Sequence, residues 1–328
     1  MPSLHRGTQT EPVDNQLALE SPRQVKYEGM LSLRHSRFER CPDLSPIQIT
    51  HRDQEILRHV LRHRLLRSSE IVALAGGSVQ QVLRRLQLLY HHGLLERPRC
   101  QIDYYHRAGS RPIVYSLTPK GSSLLSSEGM FSRATYAESR LFLEHAVQTS
   151  EILVAIELAC RRSDRVRFLP TQEILPADKT PSRSVRWNVN IDGTTHVGVI
   201  PDAVFGLEYL DRDASANRAF FFLESDRSTM PLTRRDFAKT SFRRKLLAYE
   251  ATWKQKMHQT RFGFHRFRVL TVTTSADRVT NLLGVCQALK SARGLFLFTD
   301  TSSFRATDAL AAQWQNASGG PTVRLIDG

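Results

Sequence analysis

Three helix-like segments followed by two β-rich runs, close together near the start of the chain, restrict most strongly what it can fold into. The first segment, ITHRDQEILRHVLRHRLL, places Asp53 three residues after Thr50, the spacing of a capping box at a helix start. SSEIVALA and SVQQVLRRLQLLYHHG follow; both stop at glycine and carry apolar residues at helical spacing. Two β-rich runs then flank the turn RAGSRP, which predicts a hairpin. We therefore expect residues 48–130 to form a winged helix-turn-helix of α+β class.

The third of these segments carries the residues expected to read DNA. In a winged helix the third helix enters the major groove, where glutamine and arginine match the donors and acceptors of base edges. Four residues of its polar face are candidate base contacts: Gln80, Gln81, Arg84 and Arg85. At the tip of the hairpin, Arg107 and Arg111 are expected near phosphates or the minor groove. The alternative for the helix arginines is a solvated face that binds nothing.

The charge distribution favours the same assignment. The chain of 328 residues has 46 Lys and Arg against 32 Asp and Glu, a formal net charge of +14. Residues 51–120 hold twelve basic and five acidic side chains, so half of the excess, a surplus of seven, lies in this one block. Concentrated positive charge favours an anionic partner, and we expect that partner to be double-stranded DNA.

The remaining composition bounds the class of protein. Residues 1–47 contain five prolines and no sustained period, which predicts a disordered or loosely attached leader. No apolar run reaches the length of about 18 residues that a membrane span needs, and no signal core is present. We therefore expect a cytoplasmic protein without a membrane partner. The cysteines are scattered and match no zinc spacing, which predicts free thiols: Cys41, Cys100, Cys160 and Cys286.

Several motifs, taken in order, resemble a known family. ITHRDQEILRHVLRHRLL, VLRRLQLLYHHGLLER, SRPIVYSLTPKG, FLEHAVQTSEILVAIELA, PDAVFGL and FFLESDRSTMPLTR together resemble the replication-relaxation family of bacterial plasmids and mobile elements. The resemblance runs from about residue 48 to about residue 300, which is most of the chain. It implies a DNA-binding protein linked to plasmid replication, mobilisation or transfer. It implies no defined chemistry.

In the C-terminal part of the chain, helix-like and strand-like segments are mixed. After the helix RLFLEHAVQTSEILVAIELACRR come strand-like runs at RVRFLP, SVRWNVNI, THVGVIPDAVFGLEYL and RAFFFLESD, and then a helix over about residues 234–257. FRVLTVTT, ADRVTNLLGVCQALK, GLFLFTD and TDALAAQWQ predict strand, helix, strand and helix. We expect residues 138–328 to form an α/β domain with a mixed sheet. Its element order resembles the restriction-endonuclease-like core of the PD-(D/E)xK nuclease superfamily.

Three acids lie on or beside two of these strands. In the superfamily that the order resembles, an acid opening one strand and an acid on the next strand hold a divalent metal. Asp202 in IPDAVFGL and Glu224 in FLESD match those positions, and strand alternation places Asp226 on the same side as Glu224. Two or three carboxylates suit Mg²⁺ or Mn²⁺, so all three acids are candidate metal ligands.

The sequence departs from the superfamily pattern where a lysine is expected, because Asp226 occupies that position. On the following helix, Lys245 lies four residues before Tyr249 at the edge of an apolar stripe. It either reaches the site as a catalytic residue or extends along the core with its ammonium in water. For the acids, three interpretations stay open: an active metal nuclease, a nuclease-like fold that binds DNA without cutting it, and an ion network with Arg227, Arg234 or Arg235.

DNA binding on a plasmid or mobile element, in replication, mobilisation or their regulation, is therefore the preferred function. One alternative is a Mg²⁺- or Mn²⁺-dependent endonuclease that uses Asp202, Glu224 and Lys245. A second is an adaptor that binds a relaxase or a replication initiator. A winged helix is also compatible with a homodimer, although no heptad pattern indicates one.

Overall fold

The computed structural model describes residues 37–41, 45–102, 111–126, 139–175, 185–213, 217–235 and 239–328. The chain divides into two compact units, Met1–Cys41 and Pro42–Gly328, and most of the predicted leader lies outside the described residues. All the helices and strands of the described ranges belong to the second unit. The four cysteines are free, as predicted. Within the described ranges, no helix is both long and apolar enough to cross a membrane.

The N-terminal part of the second unit consists of three helices, a small antiparallel sheet and a fourth helix. The elements are α1 (His51–His63), β1 (Leu65–Arg67), α2 (Ser68–Ala75), α3 (Val79–His91), β2 (Leu95–Glu96), β3 (Val114–Leu117) and α4 (Pro119–Ser126), with a 3-10 turn at Arg99–Gln101. The strand order is β1-β3-β2. The predicted capping box begins α1, because the Asp53 N–H donates to the Thr50 hydroxyl and the Thr50 N–H donates to the Asp53 carboxylate.

Helix α5 (Arg140–Arg162) connects this part to the larger sheet and has the bounds that its sequence predicts. Ile152 and Ile156 pack on the larger sheet, whereas Val154 packs into the core formed by α1 to α4. The Glu157 carboxylate accepts hydrogen bonds from Arg62 at 2.7 Å and from His63 at 2.9 Å, both at the end of α1. One helix therefore contributes to both hydrophobic cores.

The larger sheet contains both parallel and antiparallel strand pairs, which confirms the mixed sheet expected from the sequence. Its elements and those around it are β4 (Val166–Pro170), α6 (Thr171–Ile174), β5 (Trp187–Asn190), β6 (His196–Val199), β7 (Ala203–Tyr209), β8 (Arg218–Ser225), α7 (Phe242–Lys254), α8 (Met257–Phe262), β9 (Arg268–Thr273), α9 (Ala276–Cys286), a 3-10 turn (Arg293–Leu295), β10 (Phe296–Asp300), α10 (Thr301–Ala306), β11 (Gln313–Asn316) and β12 (Val323–Arg324). Strand order is β12-β11-β10-β9-β8-β7-β4. The pairs β8–β9 and β9–β10 are parallel and the others antiparallel.

The two faces of this sheet are covered differently. On β8, Phe222 packs with α7, α9 and the β5–β6 hairpin, whereas Phe221 and Leu223 pack towards α5. Side chains alternate along a strand, so Glu224 faces the same way as Phe222, towards α7. The Trp187 indole of the hairpin donates to the Thr252 hydroxyl of α7 at 2.8 Å. This packing positions α7 over the end of β8.

Two predicted elements differ from the structure in their bounds. The run THVGVIPDAVFGLEYL forms two strands, β6 and β7, because Pro201 interrupts it and proline has no N–H to donate to a ladder. The helix predicted over 234–257 begins only at Phe242. There the Ser241 hydroxyl accepts a hydrogen bond from the Arg244 N–H and so caps the helix.

The predicted last helix, TDALAAQWQ, is wrong. A helix begins earlier, at Thr301, because the Asp300 carboxylate accepts hydrogen bonds from the N–H groups of Ser302 and Ser303. It ends at Ala306, and Gln313–Asn316 forms β11. Trp314 is buried between exposed glutamines, so the period of this segment is that of a strand.

Candidate functional site

The outer face of α3, formed by residues 79–81, 83, 84 and 87, is one candidate site. Gln80, Gln81 and Arg84 are exposed on it, as predicted, and so is Gln87, which sequence reasoning missed. Gln87 lies seven residues after Gln80, and this spacing of two helical turns is the sequence signal that places both on the same face. The opposite face of α3 is buried in the core by Val82, Leu86, Leu89 and Tyr90.

Arg85 does not lie on this outer face. Its Nε donates to Oδ1 of Asp53 at 2.7 Å, and its Nη2 donates to the Gln48 carbonyl at 3.1 Å. The Asp53 side chain is fully buried, whereas 25% of the Arg85 side chain is exposed. Burial raises the pKa of Asp53, but the hydrogen bonds from Arg85 and Thr50 outweigh it and keep that pKa below its usual value. Arg85 therefore joins α3 to α1.

The hairpin tip is only partly described. Arg107 lies outside the described residues, and Arg111 is exposed three residues before β3 begins. The antiparallel pairing of β2 with β3 places Leu95 opposite Leu117, as a hairpin between them requires.

The second candidate site is the acid cluster, formed by Asp202, Glu224, Lys245, Tyr249 and His145. Asp202 immediately precedes β7, and its N–H donates to the Leu223 carbonyl at 3.1 Å. Its Oδ2 accepts from the Ser225 N–H at 2.7 Å, and its Oδ1 lies 3.0 Å from Nε2 of His145. His145 comes from α5, and nothing in its local sequence marks it as a partner of a residue so far along the chain.

Glu224 is held by two residues of α7. Its Oε1 accepts a hydrogen bond from the Tyr249 hydroxyl at 2.6 Å, and its Oε2 accepts one from the Lys245 ammonium. The Glu224 side chain is 2% exposed and the Lys245 side chain 25%. Of the two positions left open for Lys245, the structure shows the one in which its ammonium contacts the acid and does not extend along the core into water. Its catalytic role stays a prediction.

Asp226 is bound elsewhere. Its Oδ2 accepts from the Thr273 hydroxyl at 2.7 Å and from Nε of Arg278 at 2.9 Å. Arg278 also donates to the Met230 carbonyl at 2.7 Å, so this pair braces the loop after β8. Sequence reasoning missed Arg278.

Two of the three arginines considered as alternative partners of the acids have other contacts. Arg227 pairs with Glu144 at 2.6 Å, and Arg234 donates to the Thr240 carbonyl at 3.0 Å.

Burial and charge set the protonation of the acid cluster. Burial raises the pKa of Glu224 to about 7, even though the charge of Lys245 lowers it. Burial also raises the pKa of Asp202, but the hydrogen bond from His145 and the charge of Lys245 hold it below its usual value. The hydrogen bond to Asp202 raises the pKa of His145. Near neutral pH, Asp202 is therefore ionised and Glu224 lies close to its titration, while Asp202 favours the protonated form of His145.

The donor set of the acid cluster does not fit a resident divalent cation. All four carboxylate oxygens of Asp202 and Glu224 already accept from protein donors, one of them the Lys245 ammonium. Among the residues that the structure describes, no group of three or more His, Cys, Asp and Glu is arranged to hold a metal ion. A cation would have to displace Lys245 from Glu224 before it could bind there.

The family model for replication-relaxation matches residues 57–266, about two thirds of the chain. The chain belongs to the replication-relaxation family. No curated protein and no solved structure matches it. The matched range of this replication-relaxation protein contains all of α3 and the whole acid cluster, whereas Arg278 lies beyond it.

Proposed function

We propose that this replication-relaxation protein binds double-stranded DNA through a winged helix formed by residues 48–130, with α3 in the major groove. It would act in the replication or mobilisation of a plasmid or mobile element, or in their regulation, without cutting the DNA. The observation that carries the proposal is the outer face of α3, which exposes Gln80, Gln81, Arg84 and Gln87 together. Family membership favours the role in replication.

The chain order of the N-terminal elements supports the winged helix. Three helices, with β1 between the first and the second, precede the strands β2 and β3 in the chain. In the sheet, β3 lies between β1 and β2. In proteins of this type the last of the three helices enters the groove and the hairpin contacts the backbone. Arg107 and Arg111 are the proposed backbone contacts of the hairpin.

The chemistry of α3 suits a duplex. Glutamine amides and an arginine guanidinium match the hydrogen-bonding edges of adenine and guanine. Ser78, at the N-cap of α3, makes no side-chain capping hydrogen bond, so N–H groups of the first turn are available to a phosphate oxygen. The surplus of seven positive charges in residues 51–120 supplies the attraction to the phosphate backbone.

The acid cluster supports binding without cleavage. A metal-dependent endonuclease needs carboxylates that face a cation, whereas Glu224 faces the Lys245 ammonium, and the acids also accept hydrogen bonds from Ser225, His145 and Tyr249. The cluster joins β7, β8, α5 and α7 at one end of the sheet. We infer that its role is to hold these elements together.

Fluorescence anisotropy with duplexes selected from a random pool tests the proposal. Arg84→Ala is expected to weaken binding of the selected duplex by about 1–3 kcal/mol and to relax its sequence preference. The matched control is Arg266→Ala, which removes the same charge from an exposed residue between α8 and β9. Equal losses in both variants, or no binding of any duplex by the wild-type protein, would contradict the proposal.

Supercoiled plasmid tests the absence of cleavage. Incubated with Mg²⁺, with Mn²⁺ and with EDTA, it is expected to give a retarded, uncut band in every case. Metal-dependent nicking that disappears in Asp202→Ala and in Glu224→Ala would make the protein an endonuclease instead.

A further inference from the structure

We propose that the outer face of α3 reads A·T base pairs, with Val79 and Leu83 contacting thymine methyl groups and Gln80 and Gln87 contacting adenines. This inference rests on the proposed DNA binding and goes beyond it, because it names the bases that are read.

Two exposed aliphatic side chains on α3 are the first observation. Val79 is 53% exposed and Leu83 is 39% exposed, although both belong to a helix with a well-filled core face. Single exposed apolar residues are ordinary. These two are four residues apart, however, so they lie one above the other and form an apolar strip about one turn long.

Beside this strip runs a polar stripe with matching spacing. Gln80, Arg84 and Gln87 follow at intervals of four and three residues, so they share one side of the helix. From Gln80 to Gln87 the helix rises about 10.5 Å, which corresponds to roughly three base-pair steps of about 3.4 Å. The two amides are thus spaced for separate base pairs, with a guanidinium between them.

Base chemistry assigns partners to both stripes. The C5 methyl of thymine is the apolar group that base pairs present in the major groove, and aliphatic side chains pack against it. Glutamine bonds N6 and N7 of adenine in a bidentate way, and arginine bonds O6 and N7 of guanine. The outer face therefore fits a site rich in A·T pairs, with one G·C pair opposite Arg84.

Replacing thymine by uracil in the selected duplex isolates the methyl contacts, because it removes only the C5 methyl. The wild-type protein is expected to bind the uracil duplex roughly fourfold less tightly for each methyl group contacted, from about 0.8 kcal/mol per buried methylene. Val79→Ser and Leu83→Asn should each bind the thymine duplex less tightly and should each reduce the penalty for uracil by the share of the methyl group that the changed side chain contacts. Leu210→Asn, which changes a leucine that is 57% exposed after β7, should keep it.

A penalty for uracil that each α3 variant reduces and Leu210→Asn keeps in full supports the assignment of the bases. Equal wild-type affinity for both duplexes, or a penalty that is undiminished in both Val79→Ser and Leu83→Asn, overturns it and leaves DNA binding intact. If the wild-type protein binds no duplex at all, the proposed function itself fails, and the assignment of the bases fails with it.

Discussion

Arg84 and Arg85 are neighbours in sequence with opposite environments. The Arg84 side chain is exposed on the outer face of α3, whereas Arg85 closes on the buried carboxylate of Asp53, with 2.7 Å between Nε and Oδ1. One step along a helix rotates a side chain by about 100°, which is enough to separate a solvent-facing residue from one that reaches α1. Two chemically identical residues therefore have distinct expected roles.

Replacing either arginine by alanine should have opposite effects on stability and on DNA binding. Arg85→Ala should lower the free energy of unfolding by about 1–3 kcal/mol, because it leaves the buried Asp53 carboxylate without its cationic partner. Arg84→Ala should change that free energy by less than about 0.5 kcal/mol and should weaken DNA binding. Urea denaturation followed by circular dichroism, together with anisotropy on the folded proteins, measures both. Loss of stability in Arg84→Ala alone would reverse the assignment.

Lys245 should stabilise the fold in a pH-dependent way. The pKa of Glu224 is raised by burial to about 7, so ionising this carboxyl costs stability as the pH rises through 7. Lys245→Met removes the positive charge that lowers the pKa of Glu224, so that this pKa increases further. The stability lost in Lys245→Met is therefore expected to be larger at pH 8 than at pH 5, in urea unfolding at both values.

A second lysine of α7 provides the control. The Lys254 side chain is 47% exposed and pairs with Glu250 at 3.3 Å, so Lys254→Met should cost little at either pH. An equal loss at pH 5 and pH 8 in Lys245→Met would mean that Lys245 contributes packing and not charge.

Acid should weaken the junction between α1 and α5. Burial lowers the pKa of His59 to about 4, so the unfolded chain takes up this proton first and stability is lost as the pH falls from 6.5 towards 4. The pKa of Glu157 is about 2, because hydrogen bonds and charges from His63, Arg62 and Arg161 outweigh its burial. The stability that Glu157 contributes is therefore fully present above about pH 4.5 and is lost as the pH falls below it.

Over this pH range Glu224 changes the stability in the opposite direction to His59. The effect of His59 is therefore measured as the difference in stability between the wild-type protein and a variant that lacks only this histidine. Relative to the wild-type protein, His59→Gln should become progressively more stable as the pH is lowered from 7 to 4, in thermal unfolding. A constant difference between wild type and His59→Gln over this range would exclude His59 from the acid response.

Two helical glycines should respond oppositely to alanine. A Cβ on Gly121 in α4 would overlap the carbonyl oxygen of Leu94, which is backbone and cannot rotate away. Gly121→Ala should therefore destabilise the protein by about 1–3 kcal/mol. A Cβ on Gly284 in α9 meets nothing within 4 Å. Gly284→Ala should stabilise it by about 0.4–1 kcal/mol, and thermal unfolding of both variants tests the pair.

Local pattern predicts the element types well because burial periodicity is a short-range property. The apolar spacing of α5 predicts both of its ends, and the alternation of β8 correctly places Glu224 on the α7 side. The prediction fails at the end of the chain because the Asp300 cap fixes a helix six residues before the predicted one begins. A single capping side chain decides that boundary, and apolar spacing carries no signal of it.

Among the site residues, too, local pattern predicts some and misses those that only tertiary packing brings into the site. Asp202, Glu224 and Lys245 come together because strand pairing and helical spacing already place them at one end of the sheet. His145 and Arg278 come from helices far away in sequence, and only tertiary packing brings them to Asp202 and Asp226. Arg85 lies off the outer face of α3 for a similar reason, since its partner Asp53 lies on another helix.

The most direct measurement of the central claim is photo-crosslinking from α3 to DNA. The photoreactive amino acid p-benzoylphenylalanine is placed at position 87, on the outer face, and for comparison at position 210, where Leu210 is 57% exposed. Irradiated with the selected duplex, the protein is predicted to crosslink from position 87 and not from position 210. Crosslinks from position 210 alone would place the DNA on the larger sheet and contradict the account.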